Sequence, residues 1–497
     1  MAGEFVSWRD YEGLANGSAA LPDGGVIGGL STAEDVTALN KALVAGADIN
    51  NPGASAGEGF PLRVESLDST LFTVSYRAQD VKFWKSLYKD AAYNTIEEFN
   101  QLNQYGAGNA VWMAEGDLPT EDDSTYTRNY TKIKFMGVSR RVTHVMSLLR
   151  AGHGGVVARE TVNGTLFLLR QLERSLFAGD EDYNSVEIDG LEKLLTSAFG
   201  DTALDDGIRS GYEDDNVIDM RGKPLTEDHI ADMTERLVAE PNYGQPSDLW
   251  LPTGPVKDLS KILYPKERYD LPAPQGGLAG IAIQGIATPF GNIKLNPDIF
   301  IPDSTKASDS AVGKAALRPN TPTLGSLTAP TYSGSNTTYW SSSDAGAYIY
   351  KIVACNRYGK SAPVTSAAVT VAAGDQVSIP VVDGGGDTAW YEIYRTEAGG
   401  AASTARFLFK VARSGASQTL VDLNRFLPNC SKGYMLTQSS EVLKWKQLAP
   451  FSKIPLATID TSIRWMQCLY GALQVQAPKK CGMFINIGKL ETGAYSS

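Results

Sequence analysis

The chain has 497 residues, of which 42% are hydrophobic and 20% charged, a composition typical of a globular protein with roughly three domains. Its formal net charge of −11 argues against a protein that mainly binds nucleic-acid phosphates, and no apolar run has the length of a membrane-spanning helix. The four cysteines form no C-x-x-C pair and the three histidines form no cluster, so we predict no catalytic residues, no metal site and no cofactor.

Residues 1–62 are rich in Gly, Ala and Asp and carry one short helical pattern, from Ala33 to Ala45. Such a segment buries too little apolar surface to fold by itself. We therefore predict an N-terminal arm over residues 1–62 that becomes ordered on a partner.

Residues 63–106 combine a strand pattern with a helix pattern. The stretch 69–87, STLFTVSYRAQDVKFWKSL, alternates and carries aromatic residues, which is typical of a strand. The stretch 94–106 places Thr95 and Glu98 at capping-box spacing and ends at Gly106, so it predicts a short helix.

Residues 107–145 predict an extended two-stranded loop. Glycines and acidic residues without periodicity come first, and a long strand pattern, TRNYTKIKFMGVSRRVTHV, follows over residues 127–145. The acidic residues at the tip of the loop are Glu115, Asp117, Asp122 and Asp123. The basic residues on its returning strand are Lys132, Lys134, Arg140 and Arg141.

The strongest helix pattern covers residues 156–178, with Gly179 as its C-terminal stop. Its apolar face is spaced 4, 3, 3 and 4 residues apart, and consists of Val162, Leu166, Leu169, Leu172 and Leu176. A second helix is predicted after a Thr226 cap and a third over residues 254–265, GPVKDLSKILYP. Residues 277–301 read as strands with turns at Gly285 and at 289–291.

Residues 304–345 are dominated by Ser, Thr, Ala, Pro and Gly, and an all-β pattern follows. Regular strand spacing with Gly-rich turns predicts a sandwich over residues 321–429. The predicted strands are 347–356, 366–372, 376–382, 389–396, 405–412 and 418–423.

The tripeptide Gly359-Lys360-Ser361 ends like a phosphate-binding loop, but Ala354 stands where that loop needs a glycine, and no helix pattern follows. The surrounding stretch YIYKIVACNRYGKSAPV instead resembles a strand pair of fibronectin-type-III and bacterial immunoglobulin-like modules. In that interpretation Gly359 and Ser361 are turn residues, and Lys360 is a solvated loop tip.

Outside the sandwich and much of the arm, the order of parts resembles the major capsid proteins of tailed bacteriophages, which have the HK97 fold, and the end stretches look especially like those of large contractile-tailed phages. The stretches that carry the resemblance are ESLDSTLFTVSYRAQDVKFWKSLYKDAAYNTIEEFNQLNQYG, ARETVNGTLFLLRQLERSLFAGD, LWLPTGPVKDLSKILYPKERY and IRWMQCLYGALQVQAPKKCGMFINI.

The resemblance implies an α+β, HK97-like capsid fold with an inserted all-β, immunoglobulin-like sandwich. The implied parts are an N-terminal arm (1–62), its strand and short helix (63–106), an E-loop (107–145), a peripheral domain (146–248) with a spine helix (156–178), the first part of an axial domain (249–320), the insertion (321–429) and return strands (430–497).

The resemblance also implies a structural role without catalysis. Copies of the chain would form hexamers and pentamers of an icosahedral head, assembled in the host cytoplasm around double-stranded DNA that is contacted without sequence specificity. The implied partners are other copies, a portal, a scaffold or protease and decoration proteins, with no membrane. The acidic loop tip and the basic return residues would pair between subunits.

The cysteines Cys355, Cys430, Cys468 and Cys481 leave two interpretations open. They are buried small hydrophobic residues, or they form disulfides within or between subunits.

The sequence leaves two alternative functions open. The first is an adhesin or carbohydrate-active enzyme with an accessory sandwich, although the N-terminus lacks the layout of an export signal and no repeated strand–helix units occur. The second is an encapsulin-like nanocompartment of the same fold.

Overall fold

The structure is a computed structural model. It describes residues 75–106, 112–113, 115–116, 118, 121–149, 155–197, 216–240, 242–267, 284–334, 338–457 and 460–490. The predicted arm (1–62) and Asp117 lie outside these residues.

Helices and strands are both well represented, so the α+β class is confirmed. The described helices are α1 (Phe83–Ser86), α2 (His144–Leu148), α3 (Val156–Ala178), α4 (Leu191–Ser197), α5 (Glu227–Val238) and α6 (Thr253–Glu267).

The strands before residue 321 are β1 (Tyr88–Ala91), β2 (Ile96–Gln104), β3 (Thr125–Lys132), β4 (Lys134–Thr143), β5 (Val217–Asp219), β6 (Asp248–Leu251), β7 (Gly285–Thr288), β8 (Gly291–Pro297) and β9 (Val312–Gly313). The strands between 321 and 429 are β10 (Thr323–Leu324), β11 (Gly346–Tyr348), β12 (Tyr350–Asn356), β13 (Gly359–Lys360), β14 (Val364–Thr365), β15 (Val369–Val371), β16 (Val377–Val382), β17 (Trp390–Arg395), β18 (Arg406–Ala412) and β19 (Ser417–Asp422). The remaining strands are β20 (Ser431–Leu436), β21 (Leu443–Pro455), β22 (Ser462–Val475) and β23 (Gly482–Ile487).

The long helix α3 has the bounds that its apolar periodicity predicted. Its buried face lies toward its C-terminal half, where Leu168, Leu172 and Leu176 pack in the core, whereas the predicted Val162 is 57% exposed. The helix ends at Gly179, whose φ of −68° is an ordinary backbone angle. A glycine is needed there because the neighbouring backbone lies too close for a side chain, and not because the backbone is left-handed. A Cβ there would lie 2.4 Å from the carbonyl oxygen of Ile188.

Helix α3 packs against a four-stranded sheet with the order β1-β21-β22-β4. The centre of this sheet is the long antiparallel hairpin of β21 and β22. Gln467 on β22 is fully buried and donates from Nε2 to the Thr161 carbonyl of α3 at 2.7 Å. Gly164 on α3 lies against the same glutamine, so the absence of a side chain there allows the close approach of helix and sheet.

A second, six-stranded sheet has the order β5-β23-β20-β6-β8-β7, with parallel pairs β23–β5 and β6–β8. Helices α5 and α6 cover it, and their apolar residues Ile230, Met233, Leu237 and Leu259 share one core with the sheet. Thr226 is the N-cap residue of α5, as predicted, but its hydroxyl bonds to His229 Nδ1 and not to a backbone N–H.

The strands between 312 and 422 form antiparallel sheets around a common core. One sheet has the order β18-β17-β12-β13-β9, with β14 also on β12, and the other has the order β10-β16-β19, while β11 pairs with β15. Alternate residues Tyr350, Ile352 and Ala354 of β12 face this core with Ile379 and Leu420 from the second sheet. We call residues 312–422 the sandwich. Its pairing begins at β9, before the predicted boundary at 321, and its immunoglobulin-like character stays a prediction.

The two chain crossings into the sandwich lie side by side. The Ser304 hydroxyl accepts from Asn429 N at 2.9 Å, and the Ser431 hydroxyl donates to Asp303 at 2.7 Å. The sandwich also contacts the segment after α3, where the Tyr183 hydroxyl donates to the Lys410 carbonyl at 3.0 Å.

The predicted helix over residues 94–106 is wrong, because these residues form strand β2. The strand pairs antiparallel with β3 along its length, from Ile96 opposite Lys132 to Gln104 opposite Thr125. Glu97 accepts from Tyr93 N and Asn94 N in place of a helical cap. A nonlocal partner strand therefore overrode a local capping signal.

The strand predicted over 69–87 is also wrong where the structure describes it, since residues 78–80 form a 3-10 turn and α1 follows. The single strand predicted over 127–145 is divided into β3 and β4 at Ile133, and α2 begins at His144. Gly285 lies within the pairing of β7 rather than in a turn.

Lys360 is not a free loop tip. Its ammonium donates to both oxygens of Glu392, at 2.8 and 2.6 Å, and that carboxylate is nearly buried. The turn before it is held by Asn356, whose Oδ1 accepts from Tyr358 N and Gly359 N. The predicted turn residues Gly359 and Ser361 lie just after this turn, Gly359 at the start of β13 and Ser361 buried and bonded to Ala354.

Candidate assembly surfaces

The β2–β3 hairpin is a two-stranded sheet that presents apolar side chains to solvent. Its strands pair only with each other, and few of its residues are even half-buried. The exposed apolar residues of the hairpin and its tip are Ile96, Leu102, Tyr105, Trp112, Met113, Leu118, Tyr126 and Tyr130. We call this set the hairpin surface. An isolated two-stranded hairpin is marginally stable in water, so this surface fits contact with another protein surface.

The hairpin is anchored at its base. Ile133, between β3 and β4, is buried with Ala92 and Ala472 in a small apolar cluster. Its N–H donates to the Thr95 carbonyl at 2.8 Å, and Gln101 on β2 donates to the Gln476 carbonyl. These contacts fix the direction in which the hairpin leaves the four-stranded sheet.

The acidic residues Glu115, Asp122 and Asp123 at the hairpin tip are exposed. Among the predicted basic residues, Lys132 and Lys134 both bind Glu181 in the same chain, at 2.9 and 3.1 Å. Burial raises the pKa of Glu181, but the two lysines outweigh burial and hold that pKa below its usual value.

The two predicted arginines also have partners in the same chain. Arg140 lies 3.5 Å from Glu160 on α3, and Arg141 lies 3.4 Å from Asp460. Asp460 also binds Arg464. The structure thus places all four basic residues beside carboxylates of their own chain, and pairing with the acidic tip of another subunit stays a prediction.

A second apolar surface lies at the far end of the four-stranded sheet. Helix α2 is joined there to the β21–β22 turn by the bond from His144 N to the Thr461 carbonyl at 2.9 Å. The exposed apolar residues are Val145, Met146, Leu148, Leu149, Ile454, Leu456 and Ile463. Neither surface was predicted to be apolar from the sequence, although Tyr126 and Tyr130, which lie on the same face of the strand in TYTRNYTK, are a visible signal.

All four cysteines are free thiols in this structure, and Cys355, Cys468 and Cys481 are buried while Cys430 is half-buried. Burial raises the pKa of the Cys481 thiol to about 11 and that of Cys430 to about 12. Burial also raises the pKa of Cys355. Disulfides between subunits stay a prediction.

Among the described residues, no helix combines the length and apolarity needed to span a membrane. The same part of the chain holds no group of three or more His, Cys, Asp or Glu residues that could bind a metal ion.

A two-layer α+β body with an exposed hairpin and a second apolar surface is typical of a subunit that is completed by its neighbours. Comparison with known proteins agrees with this class. The family model for the SU10 major capsid protein matches residues 44–318. The major capsid proteins of Staphylococcus phages S25-3 and K are each 24% identical over 445 residues, which cover 86% of this chain and 90% of theirs. The putative major capsid protein of Enterococcus phage phiEF24C is 22% identical over 451 residues, 87% of this chain and 91% of its own.

Solved structures show a weaker similarity. The capsid of a native GTA particle has a TM-score of 0.46 at 8% identity, covering 88% of this chain and 99% of that one. The holo-SrpI encapsulin complex from Synechococcus elongatus PCC 7942 has a TM-score of 0.40 at 10% identity, covering 91% of this chain and 100% of that one.

Because the family model spans more than half of the 497 residues, the chain belongs to the SU10 major capsid protein family. The function predicted from the sequence, a structural major capsid protein of phages located in the virion capsid, is confirmed.

Proposed function

We propose that copies of this chain assemble into the hexamers and pentamers of an icosahedral phage head that encloses double-stranded DNA. The observation that carries the proposal is the hairpin surface, because a two-stranded sheet with exposed Tyr126 and Tyr130, and with exposed Trp112 at its tip, gains stability when a second copy covers it. The role is structural and involves no catalysis.

The hairpin would be the E-loop predicted over residues 107–145, although its paired part begins at Ile96. A neighbouring subunit would bury its exposed tyrosines and place the acidic tip near basic side chains. Individual exposed ion pairs contribute only about 0–1 kcal/mol, so apolar burial would supply most of the contact energy.

The sandwich would be an insertion that projects from the shell. The adjacent chain crossings at Ser304 and Asn429 support this, since a segment whose ends meet can be added without rearranging the body. Portal, scaffold or protease, and decoration proteins would be further partners. The net charge of −11 is consistent with DNA that is enclosed without sequence-specific contact.

Sedimentation of the purified full chain, followed by electron microscopy of the fast-sedimenting material, tests the assembly proposal. Capsomers, tubes or closed shells are expected. A protein that stays monomeric, even with the other head proteins supplied, would overturn the proposal.

Deletion of residues 305–428, which joins Ser304 to Asn429, tests the sandwich. Intact shells with altered surface binding would support a projecting module. Failure to assemble, in a variant that still folds, would show instead that the sandwich holds the shell together.

A further inference from the structure

Two carboxyl groups meet inside the protein, one from the helix α3 and one from the end of strand β8. Glu173 and Asp298 both have 0% exposure. The two carboxyl groups act on each other's protonation. Lys82 links their surroundings, because its N–H donates to Glu173 and its ammonium donates to the Pro297 carbonyl beside Asp298. Two neighbouring buried carboxyl groups are uncommon, because ionising both of them costs a large free energy.

Glu173 uses its oxygens to hold a third segment. Its Oε1 accepts from Lys82 N at 2.8 Å and from Phe83 N at 2.6 Å, and its Oε2 accepts from Trp84 N at 3.0 Å. These N–H groups lie at the start of α1, where a helix leaves donors without internal partners. The carboxyl group of Glu173 therefore ties the chain at 82–84 to α3.

Asp298 has one satisfied and one unsatisfied oxygen. Its Oδ1 accepts from Phe300 N at 2.7 Å, whereas its Oδ2 is buried and receives no hydrogen bond from a protein donor. A proton between this oxygen and Glu173 satisfies both carboxyl groups, as in other carboxyl pairs that share one proton.

The surroundings favour this protonated state. The aromatic rings of Phe83, Phe177 and Trp250 pack together in the same core, with centroids of Phe83 at 4.8 Å from Phe177 and 5.1 Å from Trp250. Burial and, next, the charge of Asp298 raise the pKa of Glu173 to about 8. Burial also raises the pKa of Asp298.

The charged groups that face the pair come from the segment before α1. Lys82 favours the ionised form of Asp298, and Asp80 opposes it. The Lys82 ammonium is itself held by the Pro297 carbonyl at 2.9 Å, next to Asp298. One lysine at the rim does not neutralise two carboxylates.

We propose that Glu173 and Asp298 form a proton-dependent latch that fastens residues 82–84 to helix α3 and to the end of strand β8. With one proton shared, the pair holds three chain segments together. When that proton passes to solvent base, two adjacent carboxylates repel each other. This repulsion and the cost of burying the charge outweigh the stronger hydrogen bonds that an ionised Glu173 accepts, so residues 82–84 are released from α3.

The direction of the pH effect follows from the raised pKa of Glu173. The folded state binds this proton more tightly than the unfolded chain, so its stabilisation is complete below the ordinary carboxyl pKa and is lost as the pH rises toward about 8. The latch therefore opens on the alkaline side.

Amide hydrogen exchange of the full chain, corrected for intrinsic exchange rates, tests the latch at about pH 5.5 and about pH 8.5. The protection of amides 82–84 is expected to fall at least about tenfold between the two values in the wild-type protein. Amides of the strand pair β12–β17, remote in sequence from the pair, provide the internal reference.

Asp298→Asn should weaken the pH dependence, because it removes the charge of Asp298 and its amide Nδ2 is a permanent donor to Glu173, while its oxygen still accepts from Phe300 N. The matched control is Asp258→Asn, since Asp258 is also buried, at 3% exposure, and accepts from Leu490 N at 3.0 Å. This control should keep the wild-type pH dependence.

If the protection of amides 82–84 depends on pH equally in Asp298→Asn and in the wild-type protein, the latch proposal is overturned. Constant protection of amides 82–84 in the wild-type protein would also overturn it, and that result needs no variant to fold.

Discussion

Arg395 and Asp422 form an ion pair inside the sandwich, with an N–O distance of 2.6 Å and both side chains 1% exposed. The Tyr350 hydroxyl donates to the same carboxylate at 2.8 Å. The guanidinium lies over the rings of Trp340 and Tyr348, at 4.7 and 5.3 Å from their centroids. Because the pair is out of water, removal of one charge leaves the other without compensation.

We expect Asp422→Asn to lower the free energy of unfolding by about 3 kcal/mol, since the Arg395 charge then stays buried and unpaired. Denaturant unfolding followed by tryptophan fluorescence measures this, because Trp340 and Trp390 lie in the sandwich. Asp309→Asn is the control, as Asp309 is 97% exposed at 3.8 Å from Lys351 and should change stability by less than about 0.5 kcal/mol. Equal effects of the two substitutions would contradict the prediction.

The thiols give a second prediction at this scale. In the folded protein, Cys355 and Cys481 should resist a thiol reagent, because burial excludes the reagent and raises the pKa of both thiols. Cys468, buried beside the Ser452 hydroxyl at 3.2 Å, should resist it as well. Mass spectrometry after labelling measures this, and denatured protein, with all four cysteines labelled, is the control. Rapid labelling of Cys481 in the folded protein would contradict the prediction that its buried thiol is protected.

Among the elements, the four-stranded sheet depends on one close contact at its centre. Gly471 on β22 lies opposite Gln447 of β21 and Lys134 of β4. A Cβ at this position would lie 2.4 Å from the indole of Trp445 and 2.6 Å from the Lys446 carbonyl oxygen. Neither a buried indole nor a sheet backbone can move aside at low cost.

Gly471→Ala should therefore lower the free energy of unfolding by about 2 kcal/mol or more. Gly415→Ala is the matched control, because a Cβ there has its nearest neighbour, the Ser417 carbonyl oxygen, at an ordinary 3.7 Å. Thermal unfolding of the two variants beside the wild-type protein makes the comparison. If the Gly471→Ala protein is as stable as the Gly415→Ala protein, the prediction that this close contact is important for stability is wrong.

The elements also differ in how far their local sequence determines them. Helix α3 was predicted to its terminal residues, because its apolar period and glycine stop are local signals. Strand β2 was predicted as a helix, because its capping-box spacing is local whereas its partner β3 lies about twenty residues further along the chain. Strand pairing is a nonlocal interaction, and a window of sequence does not contain it.

On the scale of the whole molecule, the hairpin surface should matter to assembly and not to the isolated chain. Replacing both Tyr126 and Tyr130 by Thr keeps β propensity and removes two side chains that are 69% and 63% exposed. The unfolding free energy of the unassembled chain should change by less than about 1 kcal/mol in total. The yield of sedimenting assemblies should fall clearly, because the lost apolar area would be buried only between subunits.

A suitable control is Val382→Thr, which removes apolar area from a side chain that is 45% exposed on the sandwich. It should leave the yield of assemblies near that of the wild-type protein. Unchanged assembly by the double variant would exclude the hairpin surface as a major contact.

The sequence by itself determined the α+β class, the long helix α3, the β-rich segment and the resemblance to phage capsid proteins. These follow from local periodicity, from turn residues and from the order of parts along the chain. Only the tertiary structure decided the pairing of β2 with β3, the partners of Lys132, Lys134, Arg140 and Arg141, and the meeting of Glu173 with Asp298. Each of these joins residues distant in sequence, and burial, which sets the charge and bonding of such groups, exists only once the chain has folded.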